Sequence, residues 1–568
     1  MGTNEHDLGK DEHELDRRGF LRGAGLAGLG ALGLGVLSAC SPPASGGEAT
    51  GGGSDAGGAN DAGDTDVAWD EEVDVLVVGS GTAAFAALVA KGNGAARVMV
   101  IEKSDMWGGT SATSGGTLWI PLFFAGQDAG MADTREDAVE YMRLCADGRG
   151  NDAAIEAYVD NANALCEWTR DTYDWDWVTD TPGAGFKDYY EPFTGFRAQG
   201  RQASLGNGGA GMWASLQEVL GDIGVEVLME TAATELVVDE SGAVIGVQAE
   251  SAGAPLAIKA NTCVVLGTGG FDHNPELVHA FQSIPIYVTN AAVGNTGDAH
   301  LMGNAIGAAL GNMDTNWGLP SFLPEPFDAH ADAFFDISLP DWGIYRAGAG
   351  SLIVNQSGRR FANESSAYAV FNRAFGNYST ETPGWANTPA VWICDSNYFA
   401  SGGNMLPGMS APEDPLPATF FTADSLAEIA EHFDIDAAAL EAEVAAFNTN
   451  AEQGTDPVFH RGEKSVDRCI GAYHPYLSEL ANPVLAPVAT APFYAALYVP
   501  GTCGTNGGLK INEHAQVLDT NGEVIPGLLA VGNCTAGITG GQYCGAGMTL
   551  GSGAVMSYIG IRKALGIA

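Results

Sequence analysis

The sequence predicts an α/β protein built on a parallel sheet that is discontinuous in the chain, with an inserted α+β domain. Three observations carry this. Residues 73–103 read as strand, glycine loop, helix, strand. Residues 263–266 form a second apolar run that ends in Gly267-Thr268-Gly269-Gly270. Residues 527–533, Gly-Leu-Leu-Ala-Val-Gly-Asn, repeat the strand-then-glycine pattern near the end of the chain. Such elements at both ends, with a long mixed segment between, imply one sheet assembled from distant pieces.

The first unit is the most informative. Residues 75–78, Val-Leu-Val-Val, suit one strand buried on both faces. They lead into Gly79-Ser80-Gly81-Thr82-Ala83-Ala84, a G-x-G-x-x-A dinucleotide fingerprint. Gly79 makes the tight turn, Gly81 lets bare backbone approach a pyrophosphate, and Ala84 lets the next helix pack close. A helix over 83–91 then points its positive end at the phosphates. A second strand, 98–101, ends in Glu102-Lys103. Glu102 lies about 20 residues beyond Gly81, the spacing of a ribose-hydroxyl acceptor. The fingerprint does not separate NAD from FAD. The loop Trp107-Gly108-Gly109-Thr110-Ser111-Ala112-Thr113-Ser114-Gly115-Gly116 follows directly and suits the longer cofactor, FAD. The cofactor-binding candidates are Gly79, Gly81, Thr82, Ala83, Ala84, Glu102, Lys103, Gly108, Gly109, Thr110, Ser111, Gly115 and Gly116. Gly269, Gly270, Gly532, Asn533 and Leu550 join them from the later strand ends and the last helix.

The chain has 568 residues, 46% of them hydrophobic and 17% charged, with a net charge of −45. This is a globular composition with room for a large core. The acidity argues against a nucleic-acid partner, whose phosphates need neutralising. Nine cysteines include no C-x-x-C pair, so no haem, zinc or iron–sulfur spacing is present and no metal is expected.

Residues 1–40 read as an export signal. Arg17-Arg18 precede an apolar, glycine-rich run that closes on Leu37-Ser38-Ala39-Cys40, a lipobox-like site with Cys40 as the lipid anchor. Residues 41–70 form a Gly, Ser and Asp tether. These features predict twin-arginine export, a surface lipoprotein, and a membrane-associated electron donor or acceptor. Domain limits follow: 71–315 and 505–568 for the two parts of the FAD-binding domain, and 316–504 for the inserted catalytic domain. Helices are expected over 134–147 and 151–172, strands near 225–229, 235–239 and 244–250, and a helical stretch near 424–452.

Together VDVLVVGSGTAA, EKSDMWGGTSATSGGTLWIP, VVLGTGGF, VGNTGDA, IVNQSGRRFANES, GTNGGLKIN and GLLAVGN resemble the fumarate reductase and succinate dehydrogenase flavoprotein superfamily. Within it, SGGTLWIP, FHRGE and QYCGAGMTLG resemble the 3-ketosteroid Δ1-dehydrogenases. The resemblance implies a Rossmann-like FAD-binding domain capped by a catalytic domain, with a steroid-like, apolar substrate over the flavin. It also implies catalytic roles for Tyr189 in KDYYEP, Tyr368 in NESSAYAVF, Tyr543 in YCGAG and the Gly547 N–H. Cys544 and Ala546 stand where that family carries prolines. Tyr543 and Gly547 would hold the ketone oxygen as an oxyanion hole does. Tyr368 would accept a proton, its pKa lowered by Tyr189. A hydride would pass to flavin N5. The alternative is an exported reductase that runs the same site in reverse on an activated alkene, such as an enone or a fumarate- or urocanate-like acid. Arg346 lies near the proton-donating arginine of the fumarate-type enzymes, one residue out of register. Trp119, Trp317 and Phe322 are further pocket candidates, Cys544 is a small pocket residue, and His460 is structural. No histidine lies near the 108–111 loop, so noncovalent FAD is expected.

Overall fold

A computed structural model describes residues 67–179, 187–328, 335–336, 345–400, 406, 409, 414–471 and 480–567. The export signal, Cys40 and the tether to residue 66 lie outside the described residues.

The main sheet has eight strands: β1 (Glu71–Val78), β2 (Val98–Ile101), β3 (Glu226–Leu228), β4 (Thr231–Val238), β5 (Val244–Ser251), β6 (Ala254–Leu266), β7 (Gln516–Leu518) and β8 (Val524–Ala530). Their spatial order is β7-β8-β6-β1-β2-β3, and β5 pairs with both β6 and β4. The run β8, β6, β1, β2, β3 is parallel throughout. Val75, Leu76 and Val77 are fully buried at its centre. Burial on both faces is why this strand reads as a continuous apolar run and not as an alternation. Strand β8 bonds directly to β6, so the sheet is continuous in space although more than 250 residues separate the strands in sequence.

Helix α1 (Ala84–Gly92) buries every residue from Ala84 to Ala90 against this sheet. The last helix, α2 (Met548–Ala564), packs along α1. The predicted helices at 134 and 151 form with Thr134 and Asn151 as N-caps, each accepting a backbone N–H. The helical stretch at 424–452 divides into Leu426–His432 and Ala437–Ala451. Asp434 sits between them at φ 54°, and Asp436 caps the second helix.

The inserted segment builds an antiparallel sheet from Ser321–Leu323, Ser351–Val354, Ala390–Asp395, Phe421–Ala423 and Phe493–Val499. Phe322, Trp392, Phe420 and Tyr498 fill its own core cluster. A smaller sheet pairs Val288–Thr289, from before that segment, with Asn316–Gly318, Phe335–Asp336 and Gly501–Thr505. Among the described residues no helix is long and apolar enough to cross a membrane, and no His/Cys/Asp/Glu group could hold a metal.

Candidate active site

The loops leaving the carboxyl ends of β1, β2, β6 and β8 converge on one cavity of about 590 Å³. Open α/β sheets bind their ligands at this edge. Gly79 turns the chain at φ 102°, and a Cβ there would lie 2.4 Å from Gly267 O, so only glycine fits. Ser80 then stitches the loops together. Its N and Oγ donate to Glu102 Oε2 at 2.9 and 2.7 Å, and its Oγ accepts from Gly108 N at 2.8 Å. Ser104 N donates to Glu102 Oε1 at 2.9 Å, and Trp213 Nε1 donates to Ser80 O at 3.0 Å. Gly109 and Gly115 face open space where a side chain would project. This leaves bare backbone along the cavity, as a bound pyrophosphate and flavin require.

Of the predicted cofactor residues, Gly79, Gly81, Thr82, Glu102, Lys103, Gly108, Gly109, Thr110, Ser111, Gly115, Gly116, Gly269, Gly532, Asn533 and Leu550 line this cavity. Ala83, Ala84 and Gly270 do not. The Ala83 methyl occupies the space beside Gly267, Ala84 is buried in α1, and Gly270 faces Thr505 and Asp272. Lys103 lines the cavity, but its ammonium is held by Asp298 at 2.7 Å and Thr296 at 2.8 Å. Sequence reasoning missed the lining residues Thr268, Cys503, Thr549 and the loop at 290–295, and Ser80, which ties the loops together. That loop is tied to the cavity because Ala292 N donates to Thr110 Oγ1 at 2.8 Å. Its motif, VGNTGDA, was visible, but nothing local marks it as a wall.

The three predicted tyrosines meet. Ring centroids of Tyr189 and Tyr368, Tyr189 and Tyr543, and Tyr368 and Tyr543 lie 5.5, 5.5 and 5.6 Å apart. All three are buried and line the cavity with Gly547. Tyr189 stands on a loop whose N–H donates to Cys544 O at 2.9 Å, next to Tyr543. Tyr368 opens the short helix Tyr368–Asn372. The turn before that helix is anchored by a buried ion cluster. Arg360 pairs with Glu364 at 2.6 Å and Asp456 at 2.8 Å, and Arg461 reaches Glu364 at 3.3 Å. Gly547 caps α2 at φ 92°, and its carbonyl accepts from Trp119 N at 3.1 Å.

Burial pushes all three phenols up, Tyr543 to about 12 and Tyr189 and Tyr368 well above the usual tyrosine value. The Tyr189 hydroxyl makes no hydrogen bond of good geometry, yet it lies close enough to Tyr368 for each to influence the other. That influence raises Tyr368 and lowers Tyr189, the reverse of the sequence expectation. The Thr549 hydroxyl and the Gly547 N–H act on Tyr543 in the lowering direction, against its burial.

Three aromatic pocket candidates lie elsewhere. Trp119 is buried in a stack with Tyr141 and Tyr158, Trp317 packs behind Tyr543, and Phe322 belongs to the core of the inserted sheet. Cys544 is fully buried behind the cavity wall and contributes its carbonyl. Arg346 is buried over the Phe371 ring and bonds Ser366 O, outside the cavity lining. His460 is exposed and pairs with Glu463 at 3.0 Å. Among the described lining residues Lys103 is the only cation.

A Rossmann-like sheet with a long glycine-lined cradle that ends in buried phenols defines a flavin-dependent oxidoreductase. The chain belongs to the FAD binding domain family, which it matches over residues 74–550, and FAD is its cofactor. It is 32% identical to a 3-oxosteroid 1-dehydrogenase of Mycobacterium tuberculosis (strain ATCC 25618 / H37Rv), covering 86% of this chain and 97% of that protein. It is 28% identical to a urocanate reductase of Eggerthella lenta, covering 81% of this chain and 69% of that protein. Among solved structures it is similar to 3-ketosteroid delta1-dehydrogenase from Sterolibacterium denitrificans in complex with 1,4-androstadiene-3,17-dione. That match has a TM-score of 0.78 and 27% identity, and covers 87% of this chain and all of the other.

Proposed function

We propose that the protein removes two hydrogens from adjacent carbons beside a ring ketone, in the manner of a 3-ketosteroid Δ1-dehydrogenase. The observation that carries this is the cluster of Tyr189, Tyr368 and Tyr543 around one point of the cavity, with Gly547 beside it. Tyr543 O–H and Gly547 N–H are neutral donors suited to the ketone oxygen as it takes on enolate charge. Tyr368 accepts the proton from the carbon next to the carbonyl. Tyr189 packs edge-on against Tyr368, with ring centroids 5.5 Å apart, and orients that phenol. Bound FAD supplies the hydride acceptor at its N5 for the neighbouring carbon. A neutral, apolar substrate fits because the one cation among the described lining residues, Lys103, is already paired with Asp298.

The test is anaerobic: a 4-ene 3-ketosteroid is added to the oxidised holoenzyme and the flavin absorbance is followed. Bleaching supports the reading. The second reading, an alkene reductase fed from the membrane, draws on the Arg17-Arg18 signal. It is favoured if the oxidised enzyme stays unbleached and reduced enzyme is reoxidised only by an unsaturated acid such as fumarate or urocanate.

The exported, lipid-anchored state rests on the same signal and on Cys40, and the electron partner is then a membrane component. Replacing Cys40 with alanine is expected to move the protein from the membrane to the soluble fraction. FAD is held without a covalent bond, since the described lining residues include no histidine. Acid precipitation is expected to leave the flavin in the supernatant, and flavin retained in the pellet would overturn this.

A further inference from the structure

Asp188 has no part in the chemistry above, yet it is fully buried at the junction of the segments that carry it. Its Oδ1 accepts from Trp119 Nε1 at 2.9 Å. Its Oδ2 accepts from Arg197 N at 3.0 Å and from Arg201 Nη1. Its backbone forms an isolated bridge with Gly545, between Tyr543 and Gly547. A Cβ on Gly545 would lie 2.8 Å from Trp119 Nε1 and 3.3 Å from Asp188 Oδ1, so that loop packs onto the hydrogen bond itself. The main chain of Trp119 meanwhile holds Gly547 O. Arg201 is bound on its far side by Asp133, at 2.8 and 2.9 Å, and lies over the rings of Trp119 and Tyr141. Tyr141 Oη donates to Cys544 O at 2.7 Å.

We propose that Asp188 is a positioning residue: with Trp119 and Arg201 it fixes Tyr189, Tyr543 and Gly547 relative to one another. This rests on the functional reading of those residues. An acceptor-only side chain is needed because the three groups facing its oxygens, Trp119 Nε1, Arg197 N and the Arg201 guanidinium, are donors only. A displacement of the tyrosines of about 1 Å is enough to slow turnover about 100-fold.

The groups facing Asp188 are Arg201, Arg197 and Asp133, with Tyr141 and Cys145 from the helix Arg135–Ala146 and Cys544 from the Tyr543 loop. Burial raises the Asp188 carboxyl to about 6, while the Arg201 charge and the Trp119 hydrogen bond oppose that rise. Protonation therefore removes the charged acceptor within a measurable pH range. Turnover that depends on Tyr368 alone changes with a slope of one in log rate against pH, and protonating Asp188 steepens it to two below about pH 6.

The experiment uses the FAD-loaded full chain with Asp188→Asn and Trp119→Phe. Asn turns its own donor toward at least one of the three donors, and Phe keeps the ring stack but loses the N–H. Both variants are expected to keep flavin content and thermal midpoint. Their kcat on a 4-ene 3-ketosteroid is expected to fall about 10- to 100-fold. Below pH 6, Asp188→Asn is expected to keep a slope of one. A kcat within about threefold of wild type together with a slope of two would overturn the proposal. If Asp188→Asn fails to take up FAD, Trp119→Phe decides. If the wild type is inactive, the functional reading fails. Binding of a 1,4-dien-3-ketone, read from the flavin spectrum, then decides the positioning role, with weaker binding in both variants expected and unchanged binding against it.

Discussion

The nucleotide-facing and tyrosine-facing parts of the cavity are built in opposite ways. The first comes mainly from one continuous stretch, residues 79–116, and works through backbone, with Ser80 and Glu102 tying its turns together. The second takes one residue from each of three distant segments, at 189, 368 and 543, and works through side chains. A phosphate cradle needs glycines at fixed local spacing because the chain must turn and approach the ligand bare. An oxyanion-type site needs donors converging on a point, and only tertiary packing brings them there. Damage to the two parts is therefore expected to look different.

The largest effect is expected at Tyr368. Tyr368→Phe should lower kcat/KM about 10²- to 10⁴-fold, the range for loss of a general base, and leave the flavin spectrum unchanged. Turnover within a few-fold of wild type would remove Tyr368 from the chemistry. Gly79→Ala should do the reverse. It places a methyl 2.4 Å from Gly267 O in a left-handed conformation, a strain of about 1–3 kcal/mol, and is expected to lower the flavin-to-protein ratio. Full flavin content would show that the cradle tolerates a shifted turn.

The third test is pH. The phenolate is the active form and burial has raised the Tyr368 pKa, so kcat/KM should climb about tenfold per unit between pH 7 and 9. A flat profile would mean that another group takes the proton. The same burial has a cost at high pH. A phenol raised in the folded state contributes stability that is complete below its unfolded value of about 10 and is lost as pH rises toward the folded one. Denaturant midpoints should therefore fall above about pH 10.

Much of the site was readable before the fold was known, because Gly79, Gly81 and Glu102 belong to a local pattern with a mechanical reason for each residue. Ala83 and Gly270 were misplaced because the pattern marks small residues without saying which face the ligand and which face a neighbouring strand, whereas Ala84 does what the fingerprint assigns it and lets the helix pack close. Ala83 is small so that Gly267 can pass, and Gly270 so that Thr505 can. Trp119, Trp317 and Phe322 were misplaced for a related reason: an aromatic residue in a loop suits a pocket and a core equally well. Here Trp317 packs behind Tyr543, Trp119 lies in a buried stack with Tyr141 and Tyr158, and Phe322 sits in the core of the inserted sheet.

The sequence by itself determined the parallel sheet, its discontinuity and the cofactor loop, since each strand-then-glycine unit is written in local spacing and the units recur at both ends of the chain. It also marked the tyrosines, but through the resemblance and not through any local rule. Tertiary structure alone decided that the phenols touch, that burial raises their pKa values, that Lys103 is already neutralised by Asp298, and that Asp188 sits behind the tyrosine loops. Those properties depend on what surrounds a side chain in three dimensions, and in this chain the surroundings come from segments hundreds of residues apart.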